Sequence, residues 1–214
     1  QIKMPKEKVE VLVEGIRNNG GKVLFNNAAE KIVMEGDACT RVRAVNGEEY
    51  SGKFIISNAD FVHTFEKLIG GRYAQMAKNR IEERGMSSSF FIVYAGIKSD
   101  LSFLGRSSSI GYFPSYDMEG LFDSELAFGP KSSLGTTIPS IDDKSLAPEG
   151  CHSVIFHEMV DFESATDWSE QKEELTGKVL NKAEKIIPDI RRRIMHIEAA
   201  TPMTLHRYTA NYRG

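Results

Sequence analysis

Little in this sequence fixes a function outright. Two cysteines, Cys39 and Cys151, occur in 214 residues; that is too few for a disulfide framework and fits a reducing compartment. No apolar stretch approaches the roughly 18 residues of a membrane span, and the longest, residues 90–97, is strand-sized. Without a charged-then-apolar leader at its start, the chain is expected to be soluble and cytoplasmic, with peripheral membrane contact left open. Charge of one sign is also scarce: 27 Lys and Arg stand against 30 Asp and Glu, a formal net charge of -3. Such a balance gives no electrostatic reason to expect nucleic acid, and the one basic run, Arg191-Arg192-Arg193, reads as a solvated helix face. Internal repeats and low-complexity tracts are absent.

A metal site fails on geometry. If residues 151–158 form a strand, Cys151 and His157 share a face but lie about 20 Å apart at 3.3 Å per residue, while His152 points the other way. They cannot share one ion at bond lengths near 2 Å.

What is present is pattern. Val9, Leu12, Val13 and Ile16 form the stripe of an amphipathic helix over residues 6–18, stopped by Asn19-Gly20-Gly21. Residues 22–25 read as a short strand. Residues 29–34 and 40–45 flank the turn-forming Glu35-Gly36-Asp37, and a strand over 50–57 follows Asn46-Gly47, a strong hairpin signal. Asp60 is placed to cap a helix carrying Phe61, Phe65 and Leu68, which Gly70-Gly71 ends; a second helix, marked by Tyr73, Met76 and Ile81, runs to Gly85. Strand-like segments then dominate at 88–97, 111–113, 134–138 and 151–157, with a short helical stretch near 118–123. Helix returns over 169–187 with Asp167 as cap and Leu175, Val179, Leu180, Ala183 and Ile186 on one face, and 195–199 reads as a further strand.

Three blocks resemble one family. Pro139-Ser140-Ile141-Asp142-Asp143-Lys144-Ser145-Leu146-Ala147-Pro148-Glu149-Gly150 is similar to the "PS..D.SLAPEG" segment of the flavin-dependent phytoene desaturases, carotenoid isomerases and retinol saturases. The stretch from Gly20-Gly21 to Ser57-Asn58-Ala59-Asp60 resembles the part that completes the family's dinucleotide-binding domain around FAD. Thr201-Pro202-Met203-Thr204-Leu205-His206-Arg207-Tyr208 resembles its "TP.T..RY" stretch. The resemblance implies an α+β or α/β chain: a strand-rich substrate domain with an antiparallel or mixed sheet and flanking helices, plus part of a Rossmann-like FAD domain. Its expected boundaries are 1–60 for the partial FAD domain, 61–194 for the substrate domain, and 195–214 for a return segment.

The parent implied is an oxidoreductase acting on carbon–carbon bonds of an apolar isoprenoid by desaturation, saturation or isomerisation. Two alternatives stay open: a non-enzymatic prenyl-binding protein of the Rab GDP-dissociation inhibitor type, and an amine oxidase. No Gly-x-Gly-x-x-Gly occurs anywhere in the chain, although a dinucleotide's pyrophosphate needs such a turn. The fingerprint is therefore expected upstream of Gln1, and the chain alone is expected to hold no FAD. It is also expected to self-associate through surface that the rest of the parent would cover.

The site residues follow from the resemblance. Ala29 takes the position whose backbone meets the FAD adenine, with a buried strand residue as the competing reading, and Asn58 and Ala59 are the cofactor-proximal residues of the "SNAD" junction. Asp60 is assigned to capping. Residues 90–94 are apolar on both alternating faces, so either Phe90, Ile92 and Tyr94 or Phe91 and Val93 line a substrate tunnel, with Phe113 nearby; burial of the strand in protein on both sides is the alternative. His206-Arg207-Tyr208 either faces the flavin or pairs at the surface. Asp142-Asp143 and the Asp161/Glu163 pair are expected to face water, and no protein base is identified.

Overall fold

A computed structural model describes residues 6–116 and 127–214; the helical stretch expected at 118–123 lies outside the described residues. The chain divides into two compact units, Gln1–Arg80 and Ile81–Gly214.

In the first unit, helix α1 (Lys6–Asn18) ends in a Schellman motif. Gly20 takes φ +79° and donates to the Arg17 carbonyl at 2.9 Å, while Gly21 donates to that of Ile16 at 2.9 Å. Residues 22–25 form no strand, because no backbone edge among the described residues pairs with them. Strands β1 (Ala29–Glu35), β2 (Ala38–Ala44) and β3 (Glu49–Ser51) make an antiparallel sheet in that order. Gly36 (φ +62°) makes the first turn. The second is a three-residue loop in which Gly47 (φ +85°) donates to the Ala44 carbonyl at 2.9 Å. The strand expected over 50–57 stops at Ser51, and beyond it Phe54 and Ile56 stand 87 % and 92 % exposed.

Asp60 caps as expected, its Oδ1 accepting from the His63 amide at 2.9 Å. The helix it opens widens into π geometry over His63–Ile69 and packs on β1 with Thr64 and Leu68 buried. This packing places residues 61–80 in the first compact unit, which ends inside helix α2 (Gly71–Arg84).

The second unit is built on a five-stranded antiparallel sheet in the order β5-β6-β7-β4-β8: β4 (Ser89–Lys98), β5 (Ser109–Tyr112), β6 (Leu134–Thr137), β7 (Cys151–Val160) and β8 (Ile194–Ala200). β4 and β7 alternate strictly. Phe91, Val93, Ala95 and Ile97, with Val154, Phe156 and Val160, are buried on one face. Against that face packs α4 (Trp168–Ala183), whose cap Asp167 accepts from the Ser169 and Glu170 amides at 2.7 and 3.0 Å. Its stripe Leu175, Val179, Leu180 and Ala183 joins the core. Phe91 stacks on Trp168 (centroids 6.2 Å, 26°) and meets Phe128 edge-on at 5.3 Å.

α4 ends at Ala183, short of the expected 187, because Pro188 disfavours helical backbone at the residue before it; the chain reaches α5 (Ile190–Arg193) through turns. β8 pairs with β4 inside this sheet, so residues 194–200 are counted with the second unit. A helix not anticipated, α6 (Pro202–Thr209), follows, with Thr201 and Thr204 forming a reciprocal capping box and Pro202 in the first turn.

The resemblance blocks have local structural work. In the 139–150 tract, α3 (Pro139–Asp142) and a 3₁₀ turn (Lys144–Leu146) make the corner that delivers β7. Buried Ser140 holds the first turn of that strand, its Oγ within 3.0 Å of His152 Nδ1 and accepting from the Ser153 amide at 3.2 Å. Asp143 accepts from the Ser145 amide and hydroxyl at 2.9 and 2.6 Å, which holds its carboxyl below the usual carboxylate range. Asp142 and Asp143 are exposed.

Candidate functional site

The face of the five-stranded sheet turned away from α4 carries the alternate residues. Phe90 is paired with Met159, Ile92 with His157 and Tyr94 with Ile155; on the other side Ile92 meets Ala200 and Tyr94 meets Glu198. The row extends outward, His157 to Gly135 and Gly135 to Gly111. The Phe113 ring folds over Gly111, where a Cβ would come within 2.6 Å of Phe113 Cε2. Strand alternation therefore brings Phe90, Ile92 and Tyr94 together on one half-exposed face that Phe113 also reaches, while Phe91 and Val93 have no exposure and belong to the core. Among the described residues one face of the strand is buried in the core and the other is half-exposed.

The face is apolar and aromatic around Phe90, Ile92 and Tyr94, with His157 in the Ile92 row and Glu198, His196 and Ser153 toward the Gly96 end. Burial and the neighbouring Glu198 carboxylate push the Tyr94 phenol above its usual range, so it stays protonated and can donate. His157 lies half-buried in the middle, and burial holds its imidazole below the ordinary 6.5. Parity already assigns Tyr94 to this face; His157, weighed in the sequence only as a metal ligand, joins it through the register of β7 with β4.

The first unit has a pocket of about 430 Å³ between β1 and the π-helix, lined by Ile32, Met34, Ala59, Phe61, Phe65 and Tyr73 among others. Of the expected cofactor residues only Ala59 lines it. Ala29 opens β1 opposite Ala44, and Asn58 is exposed in the irregular segment before the helix. Two residues before Ala29, the buried Asn27 Oδ1 has no hydrogen-bond partner among the described residues, an acceptor that sequence reasoning missed. His206 Nδ1 lies 2.5 Å from the Asn211 carbonyl, and the Arg207 guanidinium sits over the Tyr208 ring at 5.5 Å; these three residues pair locally at the surface. Glu163 pairs with Arg213 at 2.8 Å. Among the described residues no three His, Cys, Asp or Glu side chains gather as a metal would require, and no helix is long and apolar enough to cross a membrane.

No family model matches the chain. It is 27% identical over 204 residues to a lycopene-forming phytoene desaturase of Pseudescherichia vulneris, covering 92% of this chain and 41% of the relative. It is 30% identical over 214 residues to a chloroplastic prolycopene isomerase of an Oncidium hybrid cultivar (96% and 35%). To the prolycopene isomerase of Arabidopsis thaliana it is 27% identical over 213 residues (95% and 34%). Among solved structures, an oxidoreductase from Methanosarcina mazei superposes with a TM-score of 0.61 at 18% identity, covering 89% of this chain and 40% of that one. A reduced UDP-galactopyranose mutase gives 0.58 at 17% identity (89% and 37%). At such identities these two similarities establish the fold, a mixed helix and antiparallel-sheet architecture. The chain thus spans 34% to 41% of the curated relatives described, and over nearly all of its own length it is similar to phytoene desaturases and prolycopene isomerases.

Proposed function

We propose that the chain is the central part of an FAD-dependent oxidoreductase that desaturates, saturates or isomerises carbon–carbon bonds of an apolar isoprenoid, and that the open face of the five-stranded sheet floors its substrate site. The observation that carries this reading is the floor itself. A polyene offers no charge to grip, so selection falls to the shape of an apolar, aromatic-lined surface, and Phe90, Ile92, Tyr94 and Phe113 share such a surface in a relative of carotenoid enzymes. The flavin, when bound, accepts or returns the hydride; the residues of this floor hold and orient the chain of the substrate.

Residues 1–60 are read as part of the FAD domain, 61–194 as the substrate domain and 195–214 as the return segment. Ala29, Asn58 and Ala59 are the residues assigned to the cofactor. The unpartnered Asn27 Oδ1 fits a donor such as an adenine amine beside Ala29. The chain carries no Gly-x-Gly-x-x-Gly turn for the pyrophosphate, so FAD is assigned to the complete polypeptide and not to these residues alone. The exposed Val11, Leu12, Phe54 and Ile56 are assigned to contacts with the rest of the parent, and the isolated chain self-associates through them.

The test compares two proteins. Released chromophore is expected at about one FAD per chain from the complete polypeptide and at a negligible level from the 214 residues alone. A colourless complete polypeptide that stays colourless on reconstitution with FAD contradicts the proposal, as does stoichiometric FAD on the short chain.

A further inference from the structure

Across the open floor, Gly111, Gly135, His157, Ile92 and Ala200 lie in one register row. A glycine inside a strand weakens it and marks a place where another group approaches closely. At Gly135 that group is His157: a Cβ there would overlap the imidazole at Nε2, Cε1 and Cδ2. Phe90 meets the same ring edge-on, with centroids 5.9 Å apart at 75°. The imidazole is therefore clamped between the bare backbone of β6 and the wall of Phe90.

Among the described residues no hydrogen bond reaches either ring nitrogen of His157, whereas His152 is tied to Ser140 and His206 to the Asn211 carbonyl. The ring nitrogens are not sealed from solvent and stand open to a ligand; a phenylalanine in this place would offer neither a donor nor an acceptor. The burial that keeps the ring neutral leaves it one donor nitrogen and one acceptor nitrogen. One row away, Glu198 stands opposite Tyr94, so an anionic ligand group would meet a carboxylate. A neutral oxygen would not.

We propose that His157, seated on Gly135, is the specificity-determining contact of the floor and hydrogen-bonds a hydroxyl or carbonyl oxygen carried by an otherwise apolar isoprenoid. This rests on the reading of the open face as the substrate floor and adds to it a preference for an oxygen-bearing isoprenoid over the hydrocarbon of the same skeleton.

The experiment measures equilibrium binding to the complete, FAD-loaded polypeptide, wild type and His157→Phe, with two probes: geranylgeraniol and the hydrocarbon of the same skeleton without the hydroxyl. The imidazole ¹⁵N resonances of the wild type are followed in parallel. The alcohol is expected to bind about tenfold tighter than the hydrocarbon to the wild type, the ratio one net hydrogen bond supports. His157→Phe keeps the ring in place and brings the two affinities together, and the His157 resonances move with the alcohol alone. Equal affinities for the wild type, or a preference that survives His157→Phe, overturns the role of His157 while leaving the floor standing. Failure of both probes to bind the wild type overturns the floor and this inference together.

Discussion

Lys182→Met is expected to destabilise the second unit by about 3–5 kcal/mol, the usual cost of removing one partner from a buried ion pair. Glu158 and Lys182 form such a pair between β7 and α4, with side chains 1% and 9% exposed. Glu158 Oε1 also accepts from the Phe128 amide at 2.5 Å, and Lys182 donates to Ser132 Oγ at 2.6 Å, so the pair pins residues 128–132 against the core. Burial draws the Lys182 ammonium below its ordinary range, and the Glu158 carboxylate works against that pull. Without the lysine, Glu158 is left as an acid in the interior with one backbone donor. The double variant Glu158→Leu/Lys182→Met removes both charges and is expected to regain most of the loss. Urea midpoints at neutral pH check this. A single variant within about 1 kcal/mol of wild type, the upper range for exposed pairs, contradicts it.

The second large effect separates the two faces of β4. Phe91→Ala removes a side chain with no exposure that stacks on Trp168 and abuts Phe128, and about 3–5 kcal/mol of stability is expected to go with it. Phe90 is 37% exposed on the floor; its loss is expected to cost less, about 1–2 kcal/mol from the smaller area removed, and to show itself in substrate handling. Denaturation curves of the two variants measure the difference. Equal destabilisation would make the strand scaffold on both sides and remove it from the site.

Much of this architecture was legible because local rules and tertiary packing agree. The 3.6-residue stripe of α4, the capping aspartates Asp60 and Asp167, and the two-residue alternation of β4 and β7 each specify an element that packing then uses, whereas the stripe of α1 specifies a helix whose Val11, Leu12 and Ile16 stay exposed. Where the sequence misled, a partner decided. Residues 22–25 and 52–57 have strand-like composition, but a strand exists only by pairing, and no edge among the described residues pairs with them. The first compact unit runs past residue 60 because the π-helix packs on β1, a contact no periodicity encodes.

The site was half legible for the same reason. Parity predicts that Phe90, Ile92 and Tyr94 share a face, and register alone adds His157, Gly135 and Glu198 from other strands. Glu158 and Lys182 sit at core positions of an apolar strand and an apolar helix stripe; their partnership across 24 residues is visible only once β7 and α4 are packed. The motif with the most specific resemblance, residues 139–150, turned out to be caps and turns that aim β7.

The most direct test of the substrate floor is anaerobic mixing of the complete, FAD-loaded polypeptide with an acyclic carotene, wild type against Ile92→Trp, followed by absorbance of flavin and polyene together. Ile92 lies at the centre of the open face between His157 and Ala200, so an indole there fills the floor without entering the core. The account predicts that the wild type changes the polyene spectrum and that Ile92→Trp, with the same FAD content and the same unfolding midpoint, leaves it unchanged. A wild type that leaves the polyene untouched under both oxidised and reduced flavin, or an Ile92→Trp variant that turns it over at the wild-type rate, would contradict it.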